Sequence, residues 1–307
     1  MGRENHPPDP PPLLESANAE MARAIATAQQ VAASDAAVLL IGESGTGKNV
    51  LAHAIHDWSP RRARPFVTVP RAALTERRNG GVAFADLACI QAADGGTLFL
   101  AEVGELPAAE QAKLIRFFDE QRVETGSGGY PVTADIRVIA ATSRDIEADV
   151  HAGRFREDLF FRLSVVTIAL PPLRDRADDL TQLTDHLLAK LAAHYGRAFL
   201  QLTPEVHNFL HQYHWPGNVR ELLSVLERLV VLSRSDTITA DDLPERLLAP
   251  RREVREAPRP PALSLHELER HQIELALREC PTLEDAANRL GINPTTLWRK
   301  RKRYGLT

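Results

Sequence analysis

The sequence predicts an α/β fold, in which a parallel sheet carries helices on both faces, followed by a helical subdomain and an all-α tail. Three observations support this prediction. A short strand, a glycine-rich loop and a helix follow one another over residues 38–56. Further apolar runs alternate with segments of helical periodicity as far as residue 172, and such alternation favours a parallel sheet. From residue 178 to residue 248 the pattern is helical throughout.

Each element can be assigned from its local pattern. Glu20–Ala33 and Ala108–Gln121 have helical periodicity and would cover the sheet. The doublet Pro171-Pro172 ends the α/β layer, because proline lacks a backbone donor. Asp178-Asp179 is predicted as a solvated helix start. The strands are predicted at five apolar runs, which are Val38–Ile41, Phe66–Val69, Leu98–Leu100, Val138–Ala140 and Val165–Leu170.

Changes in composition divide the chain into five segments. Residues 1–13 form a proline-rich leader, which cannot pack as a regular element. Residues 14–172 are predicted as the α/β nucleotide-binding subdomain, and residues 173–248 as the helical subdomain. Residues 249–262 are charged and rich in proline, which is typical of a linker. Residues 263–307 then form a compact helical domain.

Composition narrows the class of protein. The chain has 307 residues, a net charge of −4 and an apolar share of 44%, as expected of a packed globular protein. Its two cysteines, Cys89 and Cys280, are far apart, so neither a disulfide framework nor a metal site is predicted. No apolar run approaches the length of a membrane span, and no signal segment precedes the fold. A cytoplasmic protein without a membrane partner is expected.

The glycine-rich loop predicts a nucleotide site. Residues 42–48 read GESGTGK between a strand and a helix, which is the context that phosphate binding requires. Glycines let backbone N–H groups converge on phosphates, and the helix start and Lys48 add positive charge. Asn49 follows the lysine, and its amide is a weaker magnesium ligand than the usual hydroxyl. The residues predicted to contact the nucleotide are Gly42, Glu43, Ser44, Gly45, Thr46, Gly47, Lys48 and Asn49.

The C-terminal residues predict a helix-turn-helix. Thr282–Leu290 and Pro294–Tyr304 have helical patterns, Gly291 allows the turn and Asn293 caps the second helix. Leu297 and Trp298 are expected as apolar anchors. A solvated basic tail is the alternative, but the capped helix pair favours DNA recognition. The residues predicted to contact DNA are Thr295, Thr296, Trp298, Arg299, Lys300, Arg301, Lys302 and Arg303.

The helix before this motif suggests how the DNA is read. Leu265–Glu279 is amphipathic, and too little chain follows it to cover its whole apolar face. Pairing of two copies is therefore expected, with a two-fold-symmetric site on double-stranded DNA.

Six motifs in order resemble one known family. GESGTGK, ADGGTLFLAEVGELP, VIAATSRD, GRFREDLFFRL, LPPLRDR and WPGNVREL resemble the AAA+ domain of the NtrC family of sigma-54-dependent enhancer-binding proteins, over residues 14–248. The ending TLWRKRKRYGL resembles the Fis-type helix-turn-helix of that family, closest to its alginate-regulator branch. The resemblance implies an AAA+ phosphate-loop sheet with a helical lid, ATP or ADP as cofactor, ring assembly, and RNA polymerase as a partner.

The resemblance also implies residue roles. Glu102 matches the catalytic glutamate that polarises the attacking water. Arg156 and Arg162 match arginines that reach a neighbouring subunit's nucleotide, where they would neutralise charge on the γ-phosphate. Surface ion pairing with Glu157 or Asp158 is the alternative for them. Arg220 matches the sensor arginine of the lid.

Four departures from the family fall on working parts. Ala101 replaces the Walker B aspartate that helps to hold magnesium, so the magnesium site is weakened. Ser143 stands where the family usually has the sensor I asparagine. Pro70 replaces the asparagine that restrains the catalytic glutamate. Residues 73–93 lack the GAFTGA signature that touches sigma-54 and are shorter than the family's loop there.

These departures lead to two competing functions. The first is a DNA-binding transcriptional regulator that binds ATP, hydrolyses it weakly or not at all, and does not remodel sigma-54 polymerase. Lost metal and sensor groups would slow phosphoryl transfer more than they weaken binding, because the protein contributes mainly positioning and electrostatics. The alternative is an active sigma-54-dependent ATPase that couples hydrolysis to promoter opening.

Overall fold

The computed structural model describes residues 14–69, 87–120, 122–123, 132–197, 200–233, 235–248, 265–280 and 282–305. The chain divides into two compact units, Met1–Ala249 and Pro250–Thr307. The first unit contains a sheet and a helical lid, and the second a small helical domain.

A parallel sheet forms the centre of the first unit. Its strands are β1 (Val38–Ile41), β2 (Phe66–Val69), β3 (Thr97–Leu100), β6 (Arg137–Thr142) and β7 (Val166–Ala169). They are arranged in the order β2-β3-β6-β1-β7, and every pairing is parallel. All five predicted runs are therefore strands of one sheet. A two-residue antiparallel ladder of β4 (Arg122–Val123) and β5 (Val132–Thr133) was not predicted.

Successive residues of the central strands alternate between two apolar clusters, one on each face of the sheet. On one face, Val38 and Leu40 pack with α1 (Ala19–Ala32) and α2 (Lys48–Asp57). On the opposite face, Leu39 packs in a cluster with side chains of α4 (Ala108–Glu120) and α6 (Glu157–Leu163). The short helices α3 (Leu87–Ala92) and α5 (Ile146–His151) complete the layer. Both faces of the sheet are covered, as the sequence predicts.

Helix α1 is fixed at both ends. Asn18 is its N-cap, and the Asn18 side chain accepts hydrogen bonds from two backbone N–H groups of the first turn. At the other end, the buried guanidinium of Arg137 donates to the carbonyls of Val31 and Ala32, each at 2.9 Å. A cation at a helix C-terminus also complements the helix dipole. Both ends of α1 are thereby held by side-chain hydrogen bonds.

In the part of the lid that the structure describes, four α-helices surround one apolar core: α7 (Ala177–His194), α8 (Pro204–Gln212), α9 (Asn218–Leu232) and α10 (Glu245–Leu248). Strands β8 (Gln201–Leu202) and β9 (Thr237–Ile238) pair beside them. Trp215 is 1% exposed at the centre of this core, where its indole N–H donates to the Leu210 carbonyl at 2.9 Å. The lid helices therefore share an apolar core of their own.

The C-terminal unit contains α11 (Leu265–Glu279), α12 (Leu283–Arg289) and α13 (Pro294–Arg303). Its core is small, and its buried members are Ile273, Ala276, Ala286, Ala287 and Leu297. Leu297 is fully buried and is the apolar anchor that the sequence predicts. Trp298 is 53% exposed and lies outside this core. The two residues are adjacent on a helix, and only one of them can face inward.

Candidate nucleotide site and nucleic-acid interface

The phosphate loop joins the end of β1 to the start of α2. Gly45 and Gly47 have φ angles of +82° and +105°, which residues with a side chain rarely adopt. A Cβ atom on Gly45 would lie 2.2 Å from the Gly217 carbonyl, so the lid approaches the loop at this glycine. Gly47 caps α2 without a side chain, which leaves the start of the helix open to an anion.

Lys48 lies inside the loop. Its Nζ donates to the carbonyls of Gly42 at 2.6 Å and Glu43 at 2.9 Å, and the residue is only 6% exposed. Its Nζ also lies 3.6 Å from a carboxylate oxygen of Glu102. Burial lowers the pKa of Lys48, and the Glu102 charge opposes this shift. Two loop carbonyls and the Glu102 carboxylate therefore surround the Lys48 ammonium group.

Glu102 lies on the turn that follows β3, in a left-handed conformation with φ 59° and ψ 48°. Its Oε2 accepts hydrogen bonds from the backbone N–H and the hydroxyl of Ser143, both at 2.8 Å. The structure thus brings the predicted glutamate and the predicted sensor position together. Ala101, immediately before Glu102, packs its methyl group against the apolar cluster on the α1 face and provides no oxygen ligand.

The lid contacts the loop through the start of α9. The Arg220 guanidinium donates to the Ser44 hydroxyl at 2.8 Å, so the predicted sensor arginine lies at the loop. Beside it, the Val219 N–H donates to the Gly45 carbonyl at 3.0 Å. The Asn218 amide donates to the Ser44 carbonyl at 3.0 Å. Three successive lid residues therefore bind two successive loop residues.

Arg174 and Asn218 of the lid hold Glu43, a role that no sequence motif indicates. Arg174 donates two hydrogen bonds to the Glu43 carboxylate, at 2.9 and 2.6 Å. Asn218 donates a third at 3.1 Å. These bonds lower the pKa of the Glu43 carboxyl to about 2. Glu43 was predicted to contact the nucleotide; its side chain is directed to the lid, and its backbone is part of the loop.

The two predicted finger arginines lie on α6. Arg156 is the N-cap of this helix and Arg162 lies in its last turn, and both are exposed. Arg156 forms a hydrogen-bonded ion pair with Asp158 at 2.8 Å, with both side chains 51% exposed. This is the surface pairing that the sequence analysis named as the alternative. An exposed pair is worth only about 0–1 kcal/mol, so it could be exchanged for a phosphate at little cost.

The helix-turn-helix has the predicted geometry. Gly291 has a φ of +64°, and the Asn293 side chain accepts a hydrogen bond from the Thr295 N–H at 2.9 Å. Helix α13 then presents an outer face to solvent. Six of the residues predicted to contact DNA are exposed on it, and these are Thr295, Thr296, Trp298, Arg299, Lys302 and Arg303.

Two of the predicted DNA contacts lie on the other side of α13. Lys300 and Arg301 are half-buried, on the same side of the helix as the buried Leu297. The Lys300 ammonium forms a hydrogen-bonded ion pair with Glu269 of α11, and the Tyr304 hydroxyl donates to the same carboxylate at 2.6 Å. Lys300 therefore connects two helices of the unit.

These features define the class of protein: a phosphate-loop domain with a lid that closes on the loop, joined to a helix-turn-helix unit. The chain matches the Sigma-54 interaction domain over residues 14–169. It matches the AAA+ ATPase lid domain over residues 174–259, and the Fis family of bacterial regulatory proteins over residues 264–304. The chain belongs to the family of sigma-54-dependent transcriptional regulators. The predicted fold class and family are confirmed.

Relatives cover almost the whole chain. It is 42% identical to the alginate biosynthesis transcriptional regulatory protein AlgB of Pseudomonas aeruginosa, over 95% of this chain and 68% of AlgB. NtrX from Brucella abortus, crystallised with ADP, is 30% identical with a TM-score of 0.69, over 95% of this chain and 69% of NtrX. NtrX has also been crystallised with ATP, with a TM-score of 0.68.

Two of the departures from the family lie outside the described residues. Pro70 and most of the segment at 73–93, as far as residue 86, are not among the described residues.

Among the residues that the structure describes, no helix is both long and apolar enough to cross a membrane.

Proposed function

We propose that this protein is a DNA-binding transcriptional regulator that binds ATP or ADP, hydrolyses ATP weakly or not at all, and does not remodel sigma-54 polymerase. Ala101 carries this proposal. A methyl group packed in an apolar cluster occupies the position of the acid that helps to hold magnesium in the family. DNA binding itself follows from the Fis-type unit, and interaction with RNA polymerase follows from family membership.

Nucleotide binding is supported by what the loop retains. Lys48 is held by two loop carbonyls, and Arg220 of the lid donates to the Ser44 hydroxyl of the loop. Both cations would lie close to bound phosphates, where they stabilise negative charge. NtrX, which has the same fold and 30% identity, was crystallised with ADP and with ATP.

Magnesium fits this site poorly. Its preferred ligands are oxygens, and the candidates beside the loop are the amide of Asn49, the hydroxyl of Thr46 and the carboxylate of Glu102. The Thr46 hydroxyl donates to the Glu43 carbonyl, and Glu102 is engaged by Ser143 and lies close to Lys48. Of these three candidates, Asn49 is the one that is exposed and takes no part in the contacts just described. A magnesium ion would therefore depend mainly on oxygens of the nucleotide phosphates and of water.

The other proposed properties follow from the same sequence features. Residues 73–93 lack the GAFTGA signature, which argues against a direct contact with sigma-54. The segment boundaries at residues 13, 172, 248 and 262 are proposed as domain limits. Copies of the chain would associate through the C-terminal unit on a two-fold-symmetric DNA site, and through an AAA+ ring. A regulator of bacterial transcription would act in the cytoplasm, where the DNA is.

An active sigma-54-dependent ATPase is the second candidate. Glu102, Arg156, Arg162 and Arg220 are all present, and Glu102 lies 3.6 Å from the loop lysine. This function would require water activation by Glu102 and magnesium binding without an acid at position 101.

Nucleotide binding and phosphate release, measured together on the full chain, separate the two candidates. We expect ADP and ATP binding by calorimetry, and little phosphate release with or without magnesium. Ala101→Asp should raise turnover by about a hundredfold, since a metal ligand is worth several kcal/mol. Ala101→Asn is the matched control, with similar size and no charge, and should give a smaller gain. Wild-type turnover typical of active family members, abolished by Lys48→Ala, would establish the second candidate instead.

A further inference from the structure

The segment before α1, residues 14–18, forms most of its hydrogen bonds to the lid with one carboxylate, that of Asp179. We call this segment the N-terminal arm. Asp179 Oδ2 accepts a hydrogen bond from the Ser16 hydroxyl at 2.5 Å. Asp179 Oδ1 accepts from the N–H groups of Ala17 at 2.7 Å and Asn18 at 3.3 Å. The Asn18 amide in turn donates to the carbonyl of Asp175 at 3.0 Å.

Asp179 is built into the fold rather than solvated. It is 4% exposed, whereas its neighbour Asp178 is exposed on the same first turn of α7. The prediction that both acids form a solvated helix start is therefore wrong for Asp179. A buried carboxylate is stable only when its lone pairs are satisfied, and three donors from the arm satisfy this one.

The stretch that holds the arm also holds the phosphate loop. Residues 173–179, which we call the lid turn, run from a 3-10 turn into the first turn of α7. Arg174 binds the Glu43 carboxylate of the loop, and Arg176 donates to the Thr46 carbonyl at 3.3 Å. Asp175 and Asp179 bind the arm. Contacts to the loop and to the arm therefore come from one short, continuous stretch.

Arg176 and Asp179 are both buried, and the charge of Asp179 acts on the Arg176 guanidinium. Arg176 is 4% exposed, and the N–H of Asp179 donates to its carbonyl at 3.0 Å. Burial lowers the pKa of Arg176, and the Asp179 charge opposes this shift. A displacement of Asp179 would thus leave a buried cation beside Thr46 without its compensating charge.

We propose that Asp179 is a positioning residue that couples the N-terminal arm to the nucleotide loop, so that attachment of the arm and binding of ATP or ADP stabilise each other. The lid turn is the shared element. When the lid is closed on the loop, Asp179 is also in place to accept the three donors of the arm. Any force that detaches the arm withdraws the lid turn from the loop. This coupling rests on the proposed binding of ATP or ADP, because the bound nucleotide is the ligand that reports on the state of the loop.

Such coupling is reciprocal. If attachment of the arm strengthens ADP binding by a given factor, ADP must strengthen attachment of the arm by the same factor. A signal that acts on the chain ahead of α1 would then reach the nucleotide site without touching it.

The test combines ADP calorimetry with backbone hydrogen exchange on the full chain. In the wild type, ADP should slow exchange at the N–H groups of Ala17 and Asn18. Asp179→Ala should raise the Kd for ADP by about fivefold or more, the lower range of measured coupling effects, and should abolish the slowing. Ser16→Ala removes one donor and should act in the same direction with a smaller effect. Asp178→Ala removes a carboxylate from the same helix turn, but an exposed one, and should change neither the Kd for ADP nor the exchange in the arm.

The outcomes separate this proposal from the proposed function. If the wild type does not bind ADP, the proposed nucleotide function fails, and the coupling is then read from exchange at residues 45–48 without ligand, which Asp179→Ala should accelerate. If Asp179→Ala speeds exchange in the arm but leaves both the ADP Kd and exchange in the loop unchanged, the coupling is refuted. Should Asp179→Ala not fold by circular dichroism, Ser16→Ala decides by the same two measurements.

Discussion

The role of a charged residue in this protein depends on which side of its helix or turn it occupies. Lys300 and Arg299 are neighbours in a basic run, yet Lys300 is paired with Glu269 inside the C-terminal unit and Arg299 faces solvent. Asp178 and Asp179 differ in the same way at the start of α7. In both pairs, one residue faces solvent and the other is held by contacts within the fold.

Arg299→Ala and Lys300→Ala should therefore have different effects on DNA binding. Arg299→Ala should cost about 1–3 kcal/mol of binding and lower the salt dependence of the affinity by about one ion, because an exposed guanidinium would contact the DNA. Lys300→Ala should leave the salt slope almost unchanged, because Glu269 already neutralises its ammonium. It should instead destabilise the C-terminal unit by about 1 kcal/mol or less.

Titration of a cognate DNA fragment at several salt concentrations measures the slopes, and thermal unfolding measures stability. Equal loss of salt slope in both variants would show that Lys300 leaves Glu269 to contact phosphate.

The sequence allows prediction of single residues where a motif or a periodicity is local. The phosphate loop could be predicted because it joins a strand to a helix, whereas Glu102 and Ser143 were predicted from the resemblance of their motifs to a known family. The inward side of α13 was also accessible, since Lys300 lies three residues after the buried Leu297. Asp179 was not predictable, because its partners lie more than 160 positions away in the chain. No local pattern records such a contact.

At the scale of elements, the loop and the lid form one hydrogen-bonded structure. The lid turn binds Glu43 and Thr46, and the start of α9 binds Ser44 and Gly45. Four successive loop residues are thus in contact with the lid. The strands and helices themselves could be predicted from periodicity, but this closure could not, because it depends on the packing of the two bodies.

The ion pair between Glu43 and Arg174 should stabilise lid closure modestly. Both side chains are about two-fifths exposed, at 43% and 39%, so we expect a coupling of about 0.5–1 kcal/mol. A double-mutant cycle with Glu43→Gln and Arg174→Ala, read by thermal unfolding with and without ADP, measures this value. Arg228→Ala, at an exposed lid position, is the control and should show no coupling to Glu43. Additive effects of the two variants would contradict the pairing.

The same pair predicts a pH dependence. The folded pKa of Glu43 is about 2, below its ordinary value of 4.5, so the stabilisation is complete above pH 4.5 and is lost as the pH falls toward 2. Between pH 8 and about 5.5 the coupling from the double-mutant cycle should therefore stay constant. Glu43→Gln removes the titrating group and serves as the reference. A coupling that falls within this range would indicate that another group controls lid closure.

At the scale of the whole molecule, the absence of an acid at position 101 is compatible with a bound nucleotide that stabilises the structure and is not hydrolysed to do work. The loop keeps its lysine and its lid contacts, and the C-terminal unit keeps its recognition helix. A bound nucleotide could still promote association of subunits, because Arg156 and Arg162 lie exposed on α6. The same helix exposes an apolar surface, with Phe161 64% and Val165, just after it, 62% exposed.

Phe161→Ser should weaken association of the chain in the presence of ATP or ADP. An aromatic side chain that becomes buried between subunits is worth at least about 1.4 kcal/mol, which corresponds to about tenfold in the association constant. Val231→Ser removes an apolar side chain of the lid that is 55% exposed and is the matched control, expected to leave association unchanged. Sedimentation velocity gives the association constant, and calorimetry should show the same affinity for ADP in both variants. If Phe161→Ser and Val231→Ser assemble alike, the surface of α6 is not the interface, and Arg156 has no neighbouring nucleotide to reach.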